Sequence, residues 1–328
     1  LLKERRGELM KKVVLIGLVI LVLLCGILAF IGNYFYNLAL NPHTSKDEVF
    51  SNSKKKNENK VDKDETSGQI NNYDIDWLLN KSNYENAYIQ SDDGLKLHSY
   101  EIKNPKKTNN WVIVVHGYTS EGKFMASFAN KFYDMGYNVL VPDLRGHGQS
   151  EGDYIGMGWH DRLDIIRWIN KIIEEDKDAN IILHGVSMGA ATVMMTSGEE
   201  LPSNVKVIIE DCGYTSVKDE FAYQLKALFK LPSFPIINVA SLMCKMKAGY
   251  WFGEGSAVKQ VAKSKIPTLF IHGDADDFVP YFMLDKLYDA ANCTKEKLVI
   301  KGAAHARAAV VDPELYWNTI KKFIDKNF

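Results

Sequence analysis

The sixteen residues "NIILHGVSMGAATVMM" (180–195) decide how the rest of the chain is read. An apolar run of strand character ends at Gly185, Ser187 stands between Gly185 and Gly189, and a run of small and apolar residues then opens a helix. A hydrolase nucleophile sits on such a sharp strand-to-helix turn, flanked by small residues because backbones crowd there. The pattern G-x-S-x-G occurs a second time, as "GQSEG" (148–152). That copy follows the loop-like "PDLRGHG" (142–148) and precedes "GDYIGMG" (152–158), which cannot start a helix. Ser187 is therefore the candidate nucleophile, and Ser150 reads as a loop residue.

Outward from this elbow the chain alternates strand and helix. "WVIVVHG" (111–117) is a continuous apolar run, as expected of a strand buried on both faces. "YNVLVPD" (137–143), "VKVIIED" (205–211), "PTLFIHG" (267–273) and "KLVIKG" (297–302) read as further strands. Helical spacing appears in "EGKFMASFANKFYDMG", "HDRLDIIRWINKIIEED" and the terminal "ELYWNTIKKFIDKNF". "YENAYIQ" and "LKLHSYEI" flank "SDDG" and read as a hairpin on an Asp-Gly turn. The alternation predicts an α/β fold with a mostly parallel, doubly wound sheet. The excursion 212–266 is too long for a simple crossover and predicts a small cap insertion at about 214–262, rich in aromatic residues.

The N-terminal part differs in kind. Val13 to Ile31 is 19 residues without a charge. As a helix it spans roughly 28 Å, enough to cross a bilayer core. It lacks a small-residue cleavage site, so it reads as an uncleaved anchor. Lys11 and Lys12 precede it and only Lys46 follows closely, which puts the N-terminus in the cytoplasm and the rest outside. Residues 32–72 read as a polar tether, since "SNSKKKNENKVDKDETSGQINN" cannot bury enough apolar area to offset its chain entropy. On this reading the globular domain is 73–328, and a chain starting near Asn71 is expected to be soluble and active. The first methionine is Met10; "ERRGELM" resembles a translated ribosome-binding site, so translation is expected to begin there and residues 1–9 to be absent.

Composition excludes several classes. The 328 residues are 46% hydrophobic and 25% charged, with a formal net charge of -1, so a nucleic-acid partner has no support. The four cysteines (25, 212, 244, 293) form no C-x-x-C and no paired framework, which argues against disulfides and a zinc site. No motif asks for a metal or a dinucleotide, so no cofactor is expected.

A serine hydroxyl needs a histidine base, and the histidine needs a carboxylate to fix its tautomer. In this architecture the order is Ser, acid, His. Only His272 and His305 follow Ser187. His305, in "KGAAHARA" after the last strand, lies on a loop that can bring an imidazole over the serine; His272 ends a strand and reads as structural. Asp274, Asp276 and Asp277 follow the strand 267–273, and Asp211 is an outside candidate for the acid; spacing does not choose among them.

The pieces "VVHGYTS", "PDLRGHGQSEG", "HGVSMGAA", "IHGDADDFVP" and "GAAHA" occur in an order that resembles the α/β-hydrolase superfamily, in particular membrane-anchored bacterial relatives of the serine aminopeptidase (S33) and BEM46-like hydrolases. The resemblance covers about 84–328. It implies the α/β-hydrolase fold, Asp276 as the acid, and an oxyanion hole made by the backbone N–H groups of Tyr118 and Met188. It implies a serine hydrolase acting on a small ester or acyl substrate, carboxylesterase-like, associated with the membrane through the N-terminal helix. A peptidase or acyltransferase on the same fold, or a non-catalytic surface binding protein, are the competing classes.

Overall fold

The computed structural model describes residues 2–46 and 72–328. Most of the expected tether, 47–71, lies outside the described residues. Eight strands form one sheet: β1 (Glu85–Gln90), β2 (Lys96–Ile102), β3 (Asn110–Val115), β4 (Asn138–Pro142), β5 (Asn180–Val186), β6 (Val205–Asp211), β7 (Thr268–Gly273) and β8 (Lys295–Ile300). Their spatial order is β1-β2-β4-β3-β5-β6-β7-β8. β1 and β2 pair antiparallel as the expected hairpin, β2 pairs antiparallel with β4, and β4, β3, β5, β6, β7 and β8 run parallel.

Alternation along the central strands divides the core in two. Trp111, Ile113 and Val115 of β3 face one side, with Ile181 and Leu183 of β5, and are covered by α4 (Asp161–Glu175) and α5 (Met188–Ser197). Val112 and Val114 face the other side, with Ile182, and are covered by α3 (Ala126–Asp134) and α11 (Pro313–Asn327). Side chains of period 2 meeting helices on both faces explain why these strands read as continuous apolar runs. Between β6 and β7 the insertion folds as α6 (Val217–Phe229), α7 (Ile236–Ala248) and α8 (Ala257–Val261). Ser216 caps α6 by accepting the Asp219 N–H. After β7 come α9 (Phe282–Ala290) and, beyond β8, the short α10 (Ala308–Val311).

The N-terminal region departs from expectation in two ways. First, α2 (Asn72–Asn80) precedes the hairpin, with Leu78 fully buried. Secondly, the apolar run 13–31 lies inside one longer helix, α1 (Leu2–Leu40). Its last turns, expected as the start of the tether, are embedded in the domain: Tyr36, Leu38 and Leu40 are buried. The cause is a second stripe in the sequence. Gly32, Phe35, Tyr36, Ala39 and Leu40 stand at i, i+3, i+4, i+7 and i+8, the spacing of an apolar helix face. Gly32 lets α1 approach α7, where a Cβ would sit 2.8 Å from the Val239 carbonyl oxygen. The Lys46 ammonium closes the helix, donating to the carbonyls of Asn37, Leu38 and Asn41 at 3.3, 2.7 and 2.8 Å.

The close α1–α7 contact predicts that Gly32→Val lowers the unfolding midpoint in detergent, by an equivalent of about 1–3 kcal/mol for overpacking. An unchanged midpoint would mean that this end of α1 is not held against the cap.

Candidate active site

Ser187 sits at the junction of β5 and α5 with φ 58 and ψ −117, a conformation an L-residue adopts only under constraint. The constraint is close packing. A Cβ on Gly185 would lie 2.2 Å from the Gly189 carbonyl oxygen, and one on Gly189 would lie 2.1 Å from that of Val115. A side chain at 185 would push β5 away from α5, and one at 189 would push α5 away from the end of β3. The Ser187 N–H continues the ladder by donating to the Asp211 carbonyl at 2.8 Å.

The loop after β8 brings His305 over the serine. Its Nε2 lies 2.8 Å from Ser187 Oγ, and its Nδ1 lies 2.7 Å from Asp276 Oδ2. Asp276 is buried in the turn after β7, where its Oδ1 accepts the N–H groups of Phe278 and Val279 at 3.0 and 2.9 Å. Burial would raise its carboxyl, but the His305 charge and the hydrogen bonds from His272 and His305 hold it down at about 2. For His305 burial would lower the pKa, and the charge and hydrogen bond of Asp276, with a contribution from Asp211, hold it above its ordinary value.

The other candidates are engaged elsewhere. Asp274 and Asp277 are exposed. Asp274 accepts the Gly302 N–H, and the Asp277 carbonyl accepts the Tyr223 hydroxyl. The Asp211 carboxylate accepts the Tyr316 hydroxyl at 3.0 Å. His272 Nε2 donates to the Val279 carbonyl at 2.8 Å and stands 3.2 Å from Asp276 Oδ2, so it supports the Asp276 turn. Cys212, Asp276 and His305 each bring a potential ligand atom within 4.8 Å of the others. Burial pushes the Cys212 thiol well up, so it stays protonated, and both nitrogens of His305 are already bonded. This donor set suits a proton path better than a cation.

Ser150 belongs to a different network. Its hydroxyl accepts the His98 N–H at 2.8 Å and donates to the Asp143 carbonyl at 2.6 Å, joining the loop to β2. Tyr118 follows the turn after β3, where Gly117 lies against Ser187 (a Cβ there would be 3.3 Å from the Ser187 Cβ). The backbone N–H of Met188 opens α5 directly after the serine.

A cavity opens on Ser187. Its walls come from the β3 turn (Tyr118), from Met157, Tyr214, Phe278 and Val279, and from the cap, including Phe221, Leu225, Phe229, Ile237 and Phe252. Three wall residues come from α1: Phe35, Leu38 and Ala39. Apart from Ser187 and the tyrosine hydroxyls, its polar side chains are Glu220 and Gln224. The α1 residues escape a reading that treats everything after the apolar run as tether; the i, i+3, i+4 stripe is the signal that would have found them.

A family model described as serine aminopeptidase, S33, matches residues 106–246, from just before β3 through Ser187 into α7. The Pyrococcus furiosus esterase Pf2001 has the same fold, with a TM-score of 0.63 and 23% identity, over 81% of this chain and 98% of that one. The chain has the α/β-hydrolase fold. It is 29% identical over 273 residues to the Bacillus subtilis (strain 168) protein YqkD, itself uncharacterized, with 83% of this chain and 88% of YqkD covered. It is 23% identical over 249 residues to the thermostable monoacylglycerol lipase of Bacillus sp. (strain H-257), covering 66% of this chain and 90% of the lipase. Such likenesses support a serine hydrolase of the α/β fold and leave the bond it cleaves to the chemistry of its own site.

The Ser150 network predicts that Ser150→Ala costs about 1–2 kcal/mol of stability, because the His98 N–H loses its acceptor. Labelling of Ser187 by a fluorophosphonate probe should be unchanged. Lost labelling at full stability would place Ser150 in the chemistry.

Proposed function

We propose that this protein hydrolyses carboxylic esters of apolar acyl groups through an acyl-enzyme on Ser187. The hydrogen-bonded series Asp276–His305–Ser187 carries the reading. His305 Nε2 takes the Ser187 proton as Oγ attacks the acyl carbonyl carbon. The carbonyl oxygen becomes an oxyanion, which the backbone N–H groups of Tyr118 and Met188 receive; losing one such donor typically costs about 10²–10³ in rate. His305 then protonates the leaving alkoxide, and the ester bond breaks. A water gives its proton to His305 and attacks the acyl-enzyme, and the acid leaves as Ser187 recovers its proton. Asp276, ionised throughout, holds Nδ1–H and stabilises the imidazolium.

The pocket favours an ester over an aminoacyl substrate. An aminopeptidase must hold a free ammonium with an anion. The acid in this cavity is Glu220, which burial pushes up to about 8 despite a hydrogen bond from Gln224. A carboxyl neutral at pH 7 among aromatic walls offers a cation little. The same reading makes α1 a signal anchor, with Lys11 and Lys12 on the cytoplasmic side and the domain outside.

Ser187→Ala should abolish fluorophosphonate labelling and lower ester hydrolysis by on the order of 10⁶-fold; labelling at full strength in this variant would remove Ser187 from the reaction. Asp276→Asn should lower kcat by about 10⁴-fold while the fold persists. Its pH profile supplies a further check. Only neutral His305 accepts the serine proton, so activity rises with pH through the raised His305 pKa. Removing the Asp276 charge lowers that pKa, so the acid limb should move to lower pH as the plateau falls. An acid limb that stays in place would mean that another group titrates. Protease added to intact cells should reach the domain; digestion only after lysis would reverse the orientation.

A further inference from the structure

The two functions assigned to α1 and to the cavity meet in one rod. α1 runs without a break from Leu2 to Leu40. Its apolar residues are exposed as far as Phe30, and by Phe35 the same helix lines the cavity that holds Ser187. From Ile31, the end of the apolar run, to Phe35 is four residues, about 6 Å along a helix. The headgroup layer of one leaflet is about 5–8 Å thick, from the difference between total and hydrocarbon thickness. The cavity wall therefore begins at headgroup depth, with no aqueous reach between it and the bilayer.

The junction is fixed on several sides. The Ala39 carbonyl accepts the Tyr118 hydroxyl at 2.6 Å, and the Leu40 carbonyl accepts the Ile155 N–H at 2.8 Å. The Lys247 ammonium on α7 donates to Asn33 at 2.6 Å. The Phe35 ring meets Phe229 of α6 edge to face, with centroids 5.5 Å apart. Just beyond Phe229, the turn into α7 exposes Leu231 and Phe234, the latter 76% accessible. Exposed apolar side chains so close in sequence to the Phe229 contact with α1 suit an interface.

We propose that the end of α1 is a wall of the acyl site and that it seats this site on the membrane, so that the enzyme takes a long-chain acyl ester directly from the bilayer carrying the anchor. This rests on the serine-hydrolase reading and adds its substrate class and its route of access. The acyl chain passes between α1 and the cap without crossing water, and the ester carbonyl meets Ser187 at headgroup level. The helix is thereby a positioning element of the reaction as well as an anchor.

Two measurements on the full chain test this. In the first, the Ser187→Ala protein in phosphatidylcholine vesicles is irradiated with a 16-carbon monoacylglycerol carrying a diazirine near the chain end. Label should appear in the peptide holding Phe35, Leu38 and Ala39; label on α6 with none on that peptide overturns the wall assignment. This readout needs no turnover, so it stands apart from the hydrolase reading. In the second, a flexible twenty-residue Gly-Ser spacer is inserted after Ile31 in the otherwise native chain. Hydrolysis of the monoacylglycerol in the protein's own vesicles should fall at least tenfold, while hydrolysis of the same ester dispersed in detergent is retained. Equal retention in both, or equal loss in both, overturns direct access from the bilayer. A native chain that labels with the lipid but shows no turnover in either medium contradicts the hydrolase reading and leaves the wall assignment intact.

Discussion

The site depends on one crossing of backbones. β5 ends and α5 begins so close to it that Gly185 has no room for a Cβ, and the end of β3 passes so close to α5 that Gly189 has none. The positive φ of Ser187 is the conformational cost of that crossing. It is sustained because the fully buried α5 and the parallel ladder on both sides of β5 fix the chain entering and leaving the turn. The same crossing gives the serine its surroundings. Gly117 of the β3 turn lies against it, α5 begins directly after it, and the loops after β7 and β8 leave the sheet at the same end. Parallel strands put all these loops on one edge, which is why residues 118, 187, 276 and 305 can converge.

Burial then sorts the carboxyls that crowd this edge. Glu210, Glu220, Asp211 and Asp276 are all inaccessible. Burial pushes the first two up to about 8 and Asp211 up to about 6. Asp276 alone among these goes down, because the His305 charge and the hydrogen bonds from His272 and His305 outweigh burial. The cap reinforces the turn after β7: Gln224 and Tyr223 of α6 donate to the carbonyls of Phe278 and Asp277 at 2.7 and 3.0 Å. Asp276 is thereby held by the element that also walls the cavity at Ser187.

Much of this was legible in the residues. The buried parallel strands could be read because both faces are covered, which leaves unmistakable apolar runs. Ser187 was separable from Ser150 because a G-x-S-x-G has different neighbours in an elbow and in a loop. The structure brings His305 and Asp276 to the serine, but the choice of Asp276 over Asp274 and Asp277 rests on a resemblance. Its physical basis, burial and inward-facing amides, is a property of turn geometry that spacing does not encode. The nine-residue α2 escaped notice because one buried leucine gives little periodicity. The end of α1 escaped because a strong membrane signal masks a weaker amphipathic stripe directly after it.

That stripe changes what the cap can do. Tyr36, Leu38 and Leu40 are buried where α1 meets the domain. Burying an apolar side chain of this size stabilises by about 1.5–3 kcal/mol, an upper figure given a compact unfolded chain. Swinging α7 off the site as a rigid lid would separate Gly32 from Val239 and break the Lys247–Asn33 hydrogen bond. Substrate traffic is better served by smaller side-chain motions along the α1–α6 seam, where Phe35 and Phe229 touch only edge to face. A chain starting near Asn71 would retain every polar residue of the candidate site and lose one wall of its cavity. The apolar helix α1 and the candidate site are therefore a single structural unit, joined by the turns of helix between Gly32 and Leu40.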